Sequence, residues 1–291
     1  MCSTPVIASA VETLTLAVIA ALARGEEPTA PVVRFLLRRY AATGRDDIRR
    51  VLEPALTRAL DAWPRSPRDE FPDWLMLFSE AVAVSDDERV RDAAASLAAS
   101  LRESWGGERR IANAAASVDA CLRANAAAVP GGSVQASIDE LERLVSAAYE
   151  PGEGLSRSAP GGGSGLGDHV RMASALLTAY ELTSRLPYSM LAEELMQFAE
   201  RSFPRPADTA FSGGDADAKI FALSCEVASV LLRLAALHGS DDYRSVAVVA
   251  PGADYGAEAT RILLLLAPSA AELGLAGAVY GLAASGAYPA P

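Results

Sequence analysis

Two adjacent residues, Asp168 and His169, form the most reactive pairing in the chain. They follow a glycine-rich run, Pro160 to Gly167, and open an apolar helical stretch. A carboxylate placed there can act as general acid or base, with the imidazole tuning it or holding a ligand. The same pair suits a plainer role, in which Asp168 caps the helix and His169 packs. A second carboxylate, Glu226, follows Ser224 and Cys225. Glycoside hydrolysis needs two carboxyl groups about 5–9.5 Å apart, and Asp168 with Glu226 is the candidate pair. The plainer role for Glu226 is a first-turn carboxylate stabilised by the helix dipole. Asp73, Trp74, Arg110, Asn113 and Ser224 complete the set, each expected in the first turn of a helix. Aromatic rings stack on the apolar faces of pyranoses, and carboxylates accept hydrogen bonds from sugar hydroxyls.

Other chemistries are poorly represented. The loop Asp208 to Asp217 contains Gly213-Gly214-Asp215-Ala216-Asp217 but lacks the ligand spacing of a calcium loop. It reads as an acidic loop capping the next helix. The Pro160–Gly167 run lacks the Lys-Ser/Thr and the preceding strand of a phosphate loop, so it reads as a flexible rim loop with a lid role left open. Cys2, Cys121 and Cys225 are far apart and form no CxxC pair, which fits a reducing, cytoplasmic setting without disulfides or structural zinc. Cys225 reads as a small buried apolar residue. No cofactor and no metal are expected.

The 291 residues are 51% hydrophobic, enough for one large buried core, and intrinsic disorder is excluded. Acidic residues outnumber basic ones 37 to 26, a net charge of −11, which argues against a nucleic-acid partner. Lys219 is the single lysine. The apolar stretch Val6 to Leu22 carries Ser9, Glu12, Thr13 and Thr15 with no preceding positive segment. It is expected to be an amphipathic core helix, with Val11, Leu14, Val18 and Leu22 inward, and neither a signal sequence nor a direct membrane span.

The elements that must position these residues read as twelve helices: 5–24, 29–43, 45–62, 70–84, 86–105, 109–128, 132–149, 166–184, 187–203, 216–239, 241–266 (broken near Pro251-Gly252) and 269–286. No convincing strand pattern is present. Three corners align without a gap: Leu36 to Ile48, Leu176 to Tyr188, and Leu231 to Tyr243. Each reads as a helix end, a tight turn and the start of a return helix. Gly44 and Gly239 suit left-handed caps. Ile48, Tyr188 and Tyr243 open the return helices with an apolar contact, and His238 takes the turn position of Thr43 and Thr183. Weaker copies run through Leu77 to Val90 and Val118 to Ile138. The alternating arginines and Asp46-Asp47 around the first corner read as a salted surface.

Repeated hairpins bury their faces by stacking. Short loops within the hairpins gather on one rim, and longer loops between hairpins gather on the other. The even-numbered helices then form an inner ring, and the last helix pairs with the first. The expected fold is all-α, an (α/α)6 toroid forming a single domain over residues 1–291, with an open solenoid as the alternative. Inner-helix N-termini at the long-loop rim, with their positive dipole ends, would form a site for polar or anionic ligands.

The corner text LLxxYxxTGxxxY resembles the six-hairpin glycosidase-like superfamily. It is most similar to the helical region of bacterial thioredoxin-domain proteins of the spermatogenesis-associated type. Residues 31–61, 165–184 and 223–244 carry the likeness, which extends at low identity over residues 29–286. The resemblance implies the toroid and a carbohydrate-type ligand. It is not expected to bring redox chemistry, because this sequence has no CxxC and the likeness begins at its helices, with no thioredoxin domain expected before them. The relatives' Pro-His-Phe-Glu-Lys stretch is represented by Phe71-Pro72-Asp73-Trp74 alone, and Ser224 replaces the Asn of their Asn-x-Glu start. With only two histidines, an epimerase using histidine pairs is disfavoured. Terpene-cyclase chemistry lacks its Asp-rich metal motifs.

Three readings stand at this point. The first is a degenerate barrel, without efficient catalysis, that binds a polar small molecule or a protein partner. The second is an active glycoside hydrolase using Asp168 and Glu226. The third is a structural subunit of a larger assembly.

Overall fold

The computed structural model describes residues 3–108, 110–156, 164–204, 215–247, 250 and 252–287. Among these the chain is all-α, with thirteen α-helices and one two-stranded antiparallel ribbon. In chain order come α1 (Ser3–Ala23), α2 (Ala30–Thr43), α3 (Asp46–Ala62), α4 (Phe71–Val82), α5 (Glu88–Glu103), α6 (Ile111–Ala126) and α7 (Val134–Ala148). The ribbon β1 (Tyr149–Glu150) and β2 (Gly154–Leu155) follows. Then come α8 (Leu166–Thr183), α9 (Leu186–Ser202), α10 (Asp215–His238), α11 (Asp241–Val246), α12 (Tyr255–Glu272) and α13 (Ala278–Ala287). The chain divides into two compact units, one of residues 1–64, 205–241 and 250–291, the other of residues 65–204 and 242–249.

The repeated corner has a common physical basis. Each first helix closes with a hydrogen bond to the carbonyl four residues back: Gly44 N–H to Tyr40 (2.8 Å), Ser184 N–H to Tyr180 (2.7 Å) and Gly239 N–H to Ala235 (2.9 Å). Thr43 and Thr183 each turn a hydroxyl back onto the i−4 carbonyl at 2.7 Å. His238, at the same position, sets its ring edge-on to Tyr255. Ile48, Tyr188 and Tyr243 are buried as the return helices begin. The caps differ from expectation in one respect. Gly44 is left-handed at φ 63°, but the other left-handed corner is Ser184 at φ 55°, and Gly239 is not left-handed. The corner tolerates a serine there because its hydrogen bond needs only the backbone.

In the 65–204 unit, the first helix of each hairpin packs on the next, α4 on α6 and α6 on α8, while α5, α7 and α9 return. Burial separates the two classes. The buried residues of α7, such as Ile138, Leu141 and Leu144, form one stripe. Those of α6 and α8 run all the way round, from Ala114 to Ala124 and from His169 to Ala179. A return helix is half in water, whereas α6 and α8 are enclosed by neighbours.

In the other unit, α1 packs against α12 and α13, and α13 packs against α2 and α10. The first and last described helices therefore meet in one unit. Glu12 of α1 anchors the first corner by accepting from Arg39 (3.0 Å) and Arg45, and Arg45 also binds Asp47. Arg49 pairs with Asp46 and Glu53, the salted surface expected there. Two helices, α1 over Pro5–Ala23 and α10 over Asp217–His238, are long and apolar enough to cross a bilayer by length and composition.

Two expected elements are corrected. The tail was expected as helices 241–266, broken near Pro251-Gly252, and 269–286; α11 and α12 do lie on either side of that break, but no boundary falls between 266 and 269. Instead Pro268 lies inside α12, which runs on because Leu266, Ala267 and Ala270 are buried. The helix ends before Gly274, at φ 56°. The expected loop after residue 149 contains the ribbon, in which Gly152 and Gly154 supply the positive φ that a tight reversal needs. Residues 157–163 and 205–214, the remainder of the expected rim loop and most of the acidic loop, lie outside the described residues, as does Cys2.

Close backbone approach fixes two glycines of α13 and its lead-in. A Cβ on Gly281 would sit 2.2 Å from the Phe35 ring, and one on Gly277 would sit 1.9 Å from the Ala270 carbonyl oxygen. Because backbone cannot step aside as a side chain can, Gly277→Ala is expected to lower stability by about 1–3 kcal/mol. Gly286→Ala, whose nearest neighbour would be 3.6 Å away, is expected to leave stability unchanged or raise it. Urea unfolding of the two variants checks the contrast.

Candidate functional site

The first turns of α6 and α8 meet through one carboxylate. Gly165 is the N-cap of α8, so Asp168 occupies the third helical position and is not the cap residue expected from sequence. Its Oδ2 accepts the Gly165 N–H at 2.8 Å, which satisfies a donor that the helix itself cannot. Its Oδ1 accepts the Ala112 N–H of α6 at 2.9 Å. Asp168 therefore staples one helix N-terminus to another. Arg110 and Asn113 flank Ala112. Arg110 is exposed, and its N–H donates to Glu108 at 2.8 Å. Asn113 is half-buried, and its carbonyl accepts the Ser117 hydroxyl.

His169 is fully buried. Nδ1 lies 3.0 Å from the Gly165 carbonyl, and Nε2 accepts the Leu155 N–H at 3.1 Å. A donor at Nδ1 and an acceptor at Nε2 define the neutral ring in one tautomer. The ring stacks on Phe198 with centroids 5.2 Å apart and tilts against Phe203 at the same distance. Burial holds its pKa below the ordinary imidazole value, against the smaller opposing pull of the Gly165 carbonyl and the Asp168 charge. Gly154, at φ 74°, brings the ribbon so close that a Cβ would lie 2.6 Å from Phe198 and 2.7 Å from Nε2.

The other expected residues are dispersed. Asp73 and Trp74 open α4, which packs on α6, and Asp73 is exposed. Trp74 is 3% exposed and stacks on Phe78, so it belongs to the core and offers no face to a ligand. Ser224 and Glu226 lie in the other unit, and their expected first-turn placement is corrected. Helix α10 begins at Asp215, so Ser224 sits in its third turn and Glu226 opens the fourth, beyond the reach of the dipole's terminal field. Ser224 is buried and donates to the Ile220 carbonyl at 2.8 Å. Glu226 is half-buried. Neither described cysteine is poised as a nucleophile. Burial pushes the Cys121 thiol up to about 12 and raises that of Cys225 as well. Among the described residues, no group of three His, Cys, Asp or Glu is placed to hold a metal.

One polar cluster was not anticipated. Asp119, mid-way along α6 and 3% exposed, accepts from Arg123 Nε at 2.9 Å and from two hydroxyls of α8, Ser174 at 2.7 Å and Thr178 at 2.5 Å. Arg123 also feels the charges of Glu181 and Glu80. The signal was present in the sequence: an Asp and an Arg four apart inside an apolar run, matched by Ser174 and Thr178 four apart in another.

No family model matches the chain, and no curated protein matches it. The site therefore rests on its geometry. Removing the staple in Asp168→Ala leaves two amide donors without their acceptor and is expected to cost about 1–2 kcal/mol of stability. Asp168→Asn keeps one acceptor oxygen and loses less. Urea unfolding monitored by circular dichroism separates the two variants.

Proposed function

We propose that the protein is a catalytically silent helical scaffold that acts by binding another protein, built as a closed (α/α)6 toroid of the six-hairpin kind. The observation that carries the first part is the engagement of Asp168 and His169. Both carboxylate oxygens and both ring nitrogens are held by the chain's own backbone within 3.1 Å. Both His169 nitrogens are thereby used up and each Asp168 oxygen spends a lone pair on a backbone amide, whereas a general acid or base must present a proton site to its substrate. Trp74, the expected sugar platform, is in the core, which weighs against a carbohydrate ligand at this rim. A protein partner is favoured by α1 and α12, which pack together and carry exposed Val6, Leu16 and Leu265. Closure is supported by the meeting of α1 and α2 with α12 and α13 in one unit, and by the contrast between enclosed and one-sided helices in the other.

Calorimetric titration with a panel of mono- and oligosaccharides, run beside hydrolysis assays on chromogenic glycosides, tests the reading. No saturable heat and no release of chromophore are expected from the wild type. Turnover that disappears in a folded Asp168→Asn variant would establish the hydrolase reading instead. Saturable heat without turnover would establish the sugar-binding barrel.

A further inference from the structure

The ribbon formed by Tyr149–Glu150 and Gly154–Leu155 is seated by the buried Leu155 side chain, by the Ser164 hydroxyl on the Leu155 carbonyl, and by two polar contacts to the helices beneath it. On one side, Glu194 of α9 accepts from the Tyr149 hydroxyl at 2.7 Å and from the Gly152 N–H at 3.3 Å. On the other side, the Leu155 N–H donates to His169 Nε2 of α8. The second contact exists in only one protonation state. An imidazolium carries a proton on both nitrogens and cannot accept a hydrogen bond. Gly154 lies against the ring, so there is no room for the Leu155 N–H to face an N–H without movement.

We propose that His169 is the pin of an acid-released latch: a proton on Nε2 turns the acceptor of the Leu155 N–H into a donor, and the Gly154–Leu155 strand lifts from α8 and α9. Release bares the rings of Phe198 and Phe203, which enclose the imidazole in the closed form. The surroundings keep the latch closed near neutrality. From its own helix, Asp168 favours the charged ring, but burial outweighs that pull. From α9 the ring meets Phe198, with Glu194 turned to the ribbon and Arg201 exposed. The ribbon's own carboxylates, Glu150 and Glu153, are exposed. The closed state therefore resists the proton more than the open state does. Closure is fully in force above the ordinary imidazole value and is lost as pH falls below it, until the closed form itself titrates.

Hydrogen exchange of the intact chain, read at the 149–156 segment and normalised for the intrinsic exchange rate, tests the latch. Between about pH 7.5 and pH 5.5, protection of Leu155 is expected to fall about tenfold, with no matching change in α6 or α8. In His169→Gln, whose side-chain carbonyl accepts the same N–H without titrating, the fall is expected to vanish. In Glu194→Gln it is expected to persist. Imidazole nitrogen shifts of the wild type provide a readout independent of any variant, and the ring is expected to titrate together with the Leu155 amide. Unchanged protection while the ring titrates would overturn the latch. A fall that persists in His169→Gln, or is abolished in Glu194→Gln, would overturn it too by placing the sensor at Glu194.

Discussion

A helix enclosed on every side cannot leave a charged group without a partner, because burying an unpaired carboxylate costs several kcal/mol. Helices α6 and α8 are enclosed in this way, and the arrangement of their polar residues follows from it. Asp119 enters the interface between them as a charge and leaves it satisfied by one guanidinium and two hydroxyls. The carboxylate fixes the register of α6 against α8, since Ser174 and Thr178 reach it only where both face Asp119. Pure apolar packing of Ala, Leu and Val would tolerate a slip along the helix axis far more readily.

The same constraint determines what the rim can do. Asp168 joins two helix N-termini, so its charge is matched by dipoles and amides before any ligand arrives. His169 is held as a neutral ring between Gly165 and Leu155 and is covered by two phenyl rings. Residues that could do acid–base work are here parts of the frame. On the proposed scaffold reading, function then moves to what the helices present to a partner. The exception is the proton-dependent contact under the ribbon, where an interaction that stabilises the fold is also a sensor.

The helical corners were legible because they are local. Thr43, Gly44 and Ile48 specify a helix end, a reversal and a buried restart within a few residues, and the copies at 183–188 and 238–243 share the closing hydrogen bond and the buried restart, though Gly239 is not left-handed. Asp168 and His169 were legible as a notable pair, but their role was not. Capping and catalysis call for the same residue types, and only the Ala112 and Leu155 amides, brought from 56 and 14 residues away, decide between them. Trp74 was misread for the same reason: a tryptophan in a first turn faces either outward or inward, and Phe78 and the packing of α4 turn it inward. Glu226 lies too deep in α10 for a first-turn role, since the helix starts at Asp215, within one residue of the expected 216. The ribbon escaped notice because two residues per strand are too few to show alternation.

Asp119 joins α6 to α8, and a double-mutant cycle measures that link directly. Stabilities of Asp119→Ala, Thr178→Val and the combined variant, from urea unfolding, yield the coupling between the two side chains. A coupling above about 1 kcal/mol is predicted, the range expected for a hydroxyl bound to a buried carboxylate. Strictly additive losses, with no coupling beyond error, would contradict it and would mean that the two helices are held by apolar contact alone.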